Sequence, residues 1–438
     1  MGLREKKSQQ YGSQDQSASG WIALVDLLEG GHHGTYLILC AQALLQLGYQ
    51  VVVVCPHPQP ILEVLSSNGP LVGLEEVADR LQGVTAALPA PSQFIVGRFR
   101  SRFDAISRWQ VTQQSLQQYG QSTSIWPELV IFPYLDAYLS PYLLAQDVER
   151  YFSFDWSGLY MKPKHLRQQP RLSRLRRRLL GNLQPLRSRY CQAIVTLDGG
   201  VLDDLKIEAG NTPVTLFPDI ADAAAPNGDY GPARAIVEQA QSRTVIGMVG
   251  SLDRRKGVRT LLDVAHQACS QSYFFALVGR FSRSDFNLNE LRTVWAAIQA
   301  KPSNSFFYLE SMPGEAEFNA VVNSLDILFA AYLQFPGSSN MLAKAALFRK
   351  PIIVSDGFYM AEQVRRYGLG LVVPEDDPAA CLAAIATLTQ RTPAAIATME
   401  QGMAEYLRDN SFDQLVVCLE RLVKGWARDS LPSRPVLQ

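Results

Sequence analysis

The sequence lacks the patterns of metal-binding and disulfide-bonded proteins. Its six cysteines are widely scattered without a C-x-x-C pair, and most lie in apolar runs, as is typical of buried, reduced thiols. The five histidines include one adjacent pair, His32-His33, and no set of residues has the spacing of metal ligands. We therefore expect reduced cysteines, no metal and no cofactor.

Long hydrophobic runs and an excess of one charge are also lacking. The longest apolar runs have the length of strands, so no transmembrane helix is predicted. Residues 1–19 are polar and contain no apolar segment of the kind found in signal peptides. The formal net charge is zero, which gives no reason to expect nucleic acid as a partner. We expect a disordered tail over residues 1–19 and, by default, a cytoplasmic enzyme.

The remaining chain is long enough for two domains, because 438 residues exceed the size of one ordinary core. An apolar run at 21–28, a glycine-rich turn, a helical pattern at 35–47 and a second apolar run at 51–55 predict a β-α-β unit. Further strands of an α/β domain over residues 20–217 are expected at 94–96, 128–132, 150–154, 191–197 and 214–217.

A Pro-, Ala- and Gly-rich stretch at 218–243 predicts an interdomain linker with a short helix. Residues 244–408 predict a second domain, and residues 409–438 a helix that packs back across the junction. The second domain shows six strand patterns that alternate with helical patterns, at 245–249, 273–278, 305–309, 327–331, 352–354 and 371–373. Both domains therefore have the pattern of doubly wound, Rossmann-like sheets facing a central cleft.

An anion site is predicted where small polar residues precede the helical pattern at 341–348. Gly337, Ser338, Ser339 and Asn340 stand at its start, where backbone N–H groups are free and the helix dipole is positive. The alternative is an ordinary helix cap.

Other turns after predicted strands provide further candidates for the same ligand. Lys256 precedes Gly257 and a helix, where its charge can meet a diphosphate, although a solvated basic loop with its arginine neighbours fits equally well. Glycine turns that let a ligand approach the backbone closely occur at Gly30-Gly31 and at Gly279-Arg280.

Candidate catalytic residues come from the first domain. His32 or His33 is placed to bind or deprotonate an acceptor, unless the pair is structural or simply exposed. Asp136 and Asp155 each follow an apolar run and are able to hold sugar hydroxyls, or to cap a helix.

A basic segment interrupts the first domain. Residues 162–189 contain ten Lys and Arg and no Asp or Glu. They predict a short amphipathic helix that includes Arg171, Arg174, Arg177 and Arg178. This helix is suited to an anionic membrane surface or an anionic acceptor, or to acidic surface elsewhere on the molecule. Nucleic acid is less favoured, because aromatic residues are not interleaved with the basic ones.

Four segments in order resemble GT-B glycosyltransferases, and most closely the retaining, nucleotide-sugar-dependent family 4. They are GGHHGTYLILCAQALLQLGYQVVVV, VIGMVGSLDRRKGVRTLLDVA, the run that ends in RKPIIVS, and EQVRRYGLGLVVPEDDPAA. The resemblance covers most of residues 20–410. It implies transfer of a sugar from a nucleotide-diphosphate donor to a glycan, lipid-linked or small-molecule acceptor, without a metal.

The sequence departs from that family at three positions. Pro336 and Lys344 stand where the family has two glutamates, the second of which accepts hydrogen bonds from the donor ribose. Ser251 stands where the family has an arginine. An ammonium cannot accept a hydrogen bond. A catalytically silent GT-B protein that acts as a binding or regulatory subunit is therefore the alternative, and retention or inversion is left open.

Overall fold

Two parallel β-sheets form the framework of the molecule. The computed structural model describes residues 20–28, 33–67, 77–88, 98–167, 183–268 and 270–429. Every strand pairing within the two sheets is parallel. The central strands are apolar along their whole length because both faces of each sheet are covered by helices. Val51 to Val54, for example, are completely buried. The predicted pair of Rossmann-like domains is confirmed.

The first sheet contains seven strands within the described residues, in the order β3-β2-β1-β4-β5-β6-β7. They are β1 (Trp21–Val25), β2 (Gln50–Cys55), β3 (Leu81–Thr85), β4 (Leu129–Phe132), β5 (Trp156–Leu159), β6 (Cys191–Thr196) and β7 (Val214–Leu216). The α-helices of this domain are α1 (His33–Gln46), α2 (Pro58–Ser67), α3 (Val77–Arg80), α4 (Arg98–Thr123), α5 (Ala145–Tyr151), α6 (Lys164–Arg167) and α7 (Leu202–Ala209). Successive strands are added on one side of β1 up to β3 and on its other side from β4 onwards. This change of side opens a crevice at the carboxyl ends of β1 and β4.

The second sheet has the order β10-β9-β8-β11-β12-β13. Its strands are β8 (Thr244–Val249), β9 (Tyr273–Val278), β10 (Ser305–Tyr308), β11 (Ile327–Ala330), β12 (Ile352–Ser355) and β13 (Gly370–Val373), all close to their predicted positions. The accompanying helices are α8 (Gly231–Ala240), α9 (Val258–Gln267), α10 (Leu288–Gln299), α11 (Glu315–Asn323), α12 (Met341–Leu347), α13 (Tyr359–Tyr367), α14 (Pro378–Thr389) and α15 (Pro393–Asp409). The equivalent crevice lies between β8 and β11.

The last helix, α16 (Phe412–Asp429), returns to the first domain. Leu415, Leu419 and Leu422 are buried in the same apolar cluster as β1 and β2, and α16 packs against α1. A bidentate ion pair also joins the domains, because Arg167 Nη1 and Nη2 lie 2.6 and 2.8 Å from the two carboxylate oxygens of Glu362 on α13. Within the described part of the chain, no helix has the length and apolarity needed to cross a membrane.

The prediction of a strand at 150–154 is wrong, because α5 extends to Tyr151. Asp147 in its first turn accepts two hydrogen bonds from Arg102, at 3.0 Å each, which fixes the start of the helix. Phe152 then inserts into a cluster of aromatic rings, with its centroid 5.1 Å from that of Trp109. The apolar residues that suggested a strand therefore serve this cluster, and β5 begins four residues later.

The strand predicted at 94–96 lies outside the described residues, whereas β3 was not predicted. The sequence of β3, LQGVT, is only partly apolar, as is usual for a strand at the edge of a sheet. Four of the predicted thiols, Cys40, Cys55, Cys191 and Cys381, are buried and form no disulfide among the described residues, and the same holds for the half-buried Cys418.

Candidate functional site

The two crevices face each other across a cavity of about 650 Å³ between the domains. Its walls come from segments that follow the carboxyl ends of β1, β4, β5 and β6 in the first domain and of β8, β10 and β11 in the second, and from the linker after β7. Residues from both domains line it: His33, Thr35, Tyr36, Tyr134, Met161, Lys162, Leu197, Asp219, Ile220, Ala221, Asp222, Ser251, Arg255, Lys256, Glu315, Tyr332, Phe335, Ser338, Ser339 and Asn340. Ligands of doubly wound sheets bind at this edge, so the cavity is the candidate site.

Lys256 lies in this cavity, at the end of a tight turn after β8. Asp253 accepts the Lys256 backbone N–H at 2.8 Å, and Gly257 follows with φ 76°. A Cβ at Gly257 would lie 2.6 Å from the Ala331 carbonyl oxygen, so the turn requires glycine for both its conformation and its close approach. The Lys256 ammonium donates to the Val249 carbonyl at 3.3 Å. This bond uses one of the three N–H donors of the ammonium, and the other two make no hydrogen bond with a described residue.

The arginines beside Lys256 have different surroundings, which the sequence did not distinguish. Arg254 forms an ion pair with Glu290 at 2.9 Å, away from the cavity. Arg255 lines the cavity, and its guanidinium lies 4.7 Å from the ring centroid of Phe335. Arg255 therefore adds a second positive charge beside Lys256. The signal that would have found it is the pair of aromatic residues after β11, because arginine stacks on such rings.

Ser338, Ser339 and Asn340 also line the second-domain wall. Asn340 has helical dihedrals and its side chain makes no capping hydrogen bond at the start of α12, so the alternative of an ordinary cap by this amide is not observed. Ser338 Oγ instead donates to Asp219 in the linker. The backbone N–H groups of Ser338, Ser339 and Asn340 have no hydrogen-bond partner among the described residues. This wall therefore offers donors from the backbone.

Asp219 ties this wall to the end of the second domain. Its carboxylate accepts from Ser338 and, at 3.4 Å, from the Tyr406 hydroxyl, while the Asn410 side-chain oxygen accepts the Asp219 backbone N–H at 2.8 Å. Burial raises the pKa of Asp219, and the two hydroxyl donors oppose that rise. Asp219 therefore holds the linker against the second domain.

His33 lies on the first-domain wall, held by a buried carboxylate. Its Nδ1 is 2.7 Å from Asp26 Oδ2, and Asp26 is 1% exposed. Asp26 also accepts the Leu28 backbone N–H at 3.0 Å. The ring packs edge-on against Tyr134. In the neutral ring with Nδ1–H donating to Asp26, Nε2 keeps its lone pair and is able to accept a proton. Gly30, Gly31 and His32 lie outside the described residues.

Asp136 has a structural position instead of the predicted catalytic one. Both of its carboxylate oxygens accept backbone N–H groups, from Met161 and from Lys162, at 2.8 Å. Burial raises its pKa to about 6, although these N–H bonds act in the opposite direction. It is not among the residues that line the cavity. Asp136 therefore fixes the loop that carries Met161 and Lys162, and these two residues line the cavity.

The other predicted positions are dispersed. Gly279 has φ 136° and approaches the backbone of Gly250 so closely that a Cβ would overlap the Gly250 carbonyl oxygen. This contact alone accounts for a glycine at position 279, and no ligand is needed to explain it. Arg280 and Gly337 are not among the cavity residues. The predicted basic surface, with Arg171, Arg174, Arg177 and Arg178, lies outside the described residues. Among the described residues, no group of three or more His, Cys, Asp or Glu is placed to hold a metal ion.

Comparisons with known proteins bear on the family and the fold of this chain. Residues 243–391, which form most of the second domain, match the family model described as glycosyl transferases group 1. The sequence matches no curated protein.

Solved structures resemble the whole chain at low sequence identity. Sucrose-phosphate synthase from Thermosynechococcus elongatus has a TM-score of 0.65 and 16% identity, over 94% of this chain and 100% of that one. The trehalose-phosphate synthase (UDP-forming) from Burkholderia vietnamiensis has a TM-score of 0.63 and 12% identity, over 95% and 100%. HepE from Anabaena, solved with UDP and glucose, has a TM-score of 0.61 and 13% identity, over 93% and 100%. The fold is therefore that of the GT-B glycosyltransferases.

Proposed function

We propose that the protein is a glycosyltransferase that moves a sugar from a nucleotide-diphosphate donor to an acceptor hydroxyl. The observation that carries this proposal is the position of the Lys256 ammonium in the interdomain cavity, within the domain that matches the group 1 model. Two of the structurally similar proteins are named for UDP-forming synthesis or were solved with UDP and glucose, which makes a nucleotide sugar the first ligand to test.

The donor diphosphate would contact two sets of hydrogen-bond donors. Lys256 supplies a charged group, and the backbone N–H groups of Ser338, Ser339 and Asn340 supply neutral ones. Such fixed donors stabilise the negative charge that develops on the leaving diphosphate. With Arg255 nearby, we propose that they do so without a metal or cofactor and that the transferred sugar is a hexose, as expected for a family 4 enzyme.

The acceptor would approach from the first domain, where His33 and Asp26 form a hydrogen-bonded pair. An imidazole held by a buried carboxylate is able to bind an acceptor hydroxyl or take its proton. A glycan, a lipid-linked sugar and a small molecule all carry such a hydroxyl. A lipid-linked acceptor would agree with the proposed cytoplasmic location and peripheral membrane contact through the basic segment 162–189.

Calorimetric titration of the full-length protein with UDP, GDP and ADP tests the donor site. Lys256→Ala is expected to weaken binding about tenfold or more, because hydrogen bonds to charged groups contribute about 1.5–3 kcal/mol. Arg254→Ala is the matched control. This substitution removes a positive charge from the same turn, but Arg254 pairs with Glu290 outside the cavity. Unchanged affinity of Lys256→Ala for every nucleotide tested would remove the role of Lys256.

Nucleotide binding without transfer is the second candidate function. It is favoured by Lys344, a completely buried cation at a position where the resembling family has a glutamate. Transfer and hydrolysis assays with a panel of nucleotide sugars separate the two functions. Turnover of any donor excludes the silent protein, whereas binding without turnover across the panel supports it.

A further inference from the structure

The ammonium of Lys344 is buried where α11, α12 and the interdomain linker meet. Its Nζ donates to Asn319 Oδ1 at 2.5 Å, to the Asp222 carbonyl at 2.6 Å and to Glu315 Oε2 at 3.0 Å. These three acceptors satisfy all three of its donors. Lys344 is 0% exposed, so it has no group left for a ligand. Its effect on the cavity must therefore pass through its partners.

Glu315 is the partner that reaches the cavity. It is the first residue of α11 and lines the cavity together with Lys256 and Ser338. Its side chain is 31% exposed. Only Oε2 is bonded to Lys344, and Oε1 has no hydrogen-bond partner among the described residues. A buried cation thus fixes one oxygen of a carboxylate whose other oxygen is available to the cavity.

Among the described residues, neither of the other two carboxylates that line the cavity is paired with a cation. Asp219 is 3% exposed and accepts from Ser338 and Tyr406. Asp222 accepts the backbone N–H of Ala224 at 2.8 Å, which closes a turn in the linker. Among the described residues, Glu315 is therefore the cavity carboxylate that is held in place by a cation and retains a free acceptor.

We propose that Glu315, held by Lys344, accepts hydrogen bonds from hydroxyl groups of the bound nucleotide sugar and so determines which donor is used. A carboxylate is an acceptor only and repels a phosphate, so its ligand must present neutral donors. Ribose and the transferred sugar both present hydroxyls. A site built around such a bond rejects analogues that lack the hydroxyl, because its own polar group then stays unpaired. This inference rests on the proposed function.

Calorimetry with two analogue series locates the hydroxyls. The nucleoside diphosphate that binds best among UDP, GDP and ADP is compared with its 2′,3′-dideoxy form, and its glucose conjugate with the conjugates of deoxyglucoses. In Glu315→Gln, the amide oxygen is expected to stay with Lys344 and the NH₂ group to face the cavity, so that the ligand hydroxyl loses its acceptor. The preference of the native protein for the hydroxylated ligand should fall about tenfold or more in one series.

The affected series identifies the source of the hydroxyls. Loss of the preference for ribose over dideoxyribose assigns Glu315 to ribose, and loss of the preference for glucose over a deoxyglucose assigns it to the sugar. Glu317→Gln is the matched control, because Glu317 lies on the same helix but bonds Asn227 at 2.9 Å and does not line the cavity. It should keep both preferences.

Two negative results have different meanings. If Glu315→Gln binds the nucleotide with both native preferences intact, the role of Glu315 is wrong while the proposed function stands. If the native protein binds none of the three nucleoside diphosphates, the proposed function fails and this inference fails with it.

Discussion

Replacement of Lys344 by methionine is expected to lower the free energy of unfolding by about 3–5 kcal/mol, because it removes a buried charge that donates hydrogen bonds to three acceptors. Methionine keeps the length of the aliphatic chain but removes the three donors. The buried Asn319 side-chain oxygen then loses its hydrogen bond at a cost of about 1–3 kcal/mol, and the partly buried Asp222 carbonyl loses one at the lower end of that range. Glu315 loses its counter-charge but remains partly solvated, so it adds less.

Urea unfolding followed by tryptophan fluorescence and circular dichroism measures this loss. With a slope of about 1–3 kcal/mol per M, the midpoint should fall by about 1–5 M while the slope stays constant. Lys350→Met is the matched control. Lys350 is half-buried, its ammonium makes no hydrogen bond with a described residue, and burial lowers its pKa. Its replacement should change stability by less than about 0.5 kcal/mol or increase it. Equal midpoints for Lys344→Met and the native protein would refute the reasoning.

Two further substitutions test the two walls of the cavity. His33→Ala is expected to slow sugar transfer about 10²–10⁴-fold without changing nucleotide affinity, because the side chain acts on the acceptor; initial rates and calorimetry check this, and an unchanged rate contradicts it. Gly257→Ala should lower nucleotide affinity, and it should lower stability more than Gly210→Ala does. Both glycines have positive φ, so an alanine at either position costs about 1–2 kcal/mol. Of the two, only Gly257→Ala would also bring a Cβ against a neighbouring carbonyl. Thermal unfolding and calorimetry compare the two, and similar losses would argue against the steric explanation.

The sequence predicted the second domain better than the first. Its strands are short apolar runs separated by helices of ordinary length, and the inner strands are buried on both faces, as Phe274 to Val278 show. The first domain contains a strand of mixed composition at its edge, β3, and an aromatic stretch that belongs to a ring cluster. Both are cases in which local composition reflects tertiary neighbours and not the backbone conformation.

The candidate site was predicted only in part. Lys256 and His33 were found because they follow apolar strands, and the carboxyl ends of parallel strands meet at one edge. Asp136 follows a strand as well, yet its carboxylate is consumed by two backbone N–H groups. Sequence position places a residue near the edge, but it does not show whether its polar atoms are already bonded.

The sequence by itself determined most strands of the two sheets, most of their helices and the segments that end at the cleft, because hydrophobic periodicity is a local property. Only the tertiary structure decided which polar groups are free. Lys344 is surrounded by acceptors that lie 25, 29 and 122 residues away along the chain, and their convergence depends on how the helices and the linker pack. Lys344 therefore holds Glu315, a carboxylate that lines the cavity, and its position in the sequence does not indicate this role.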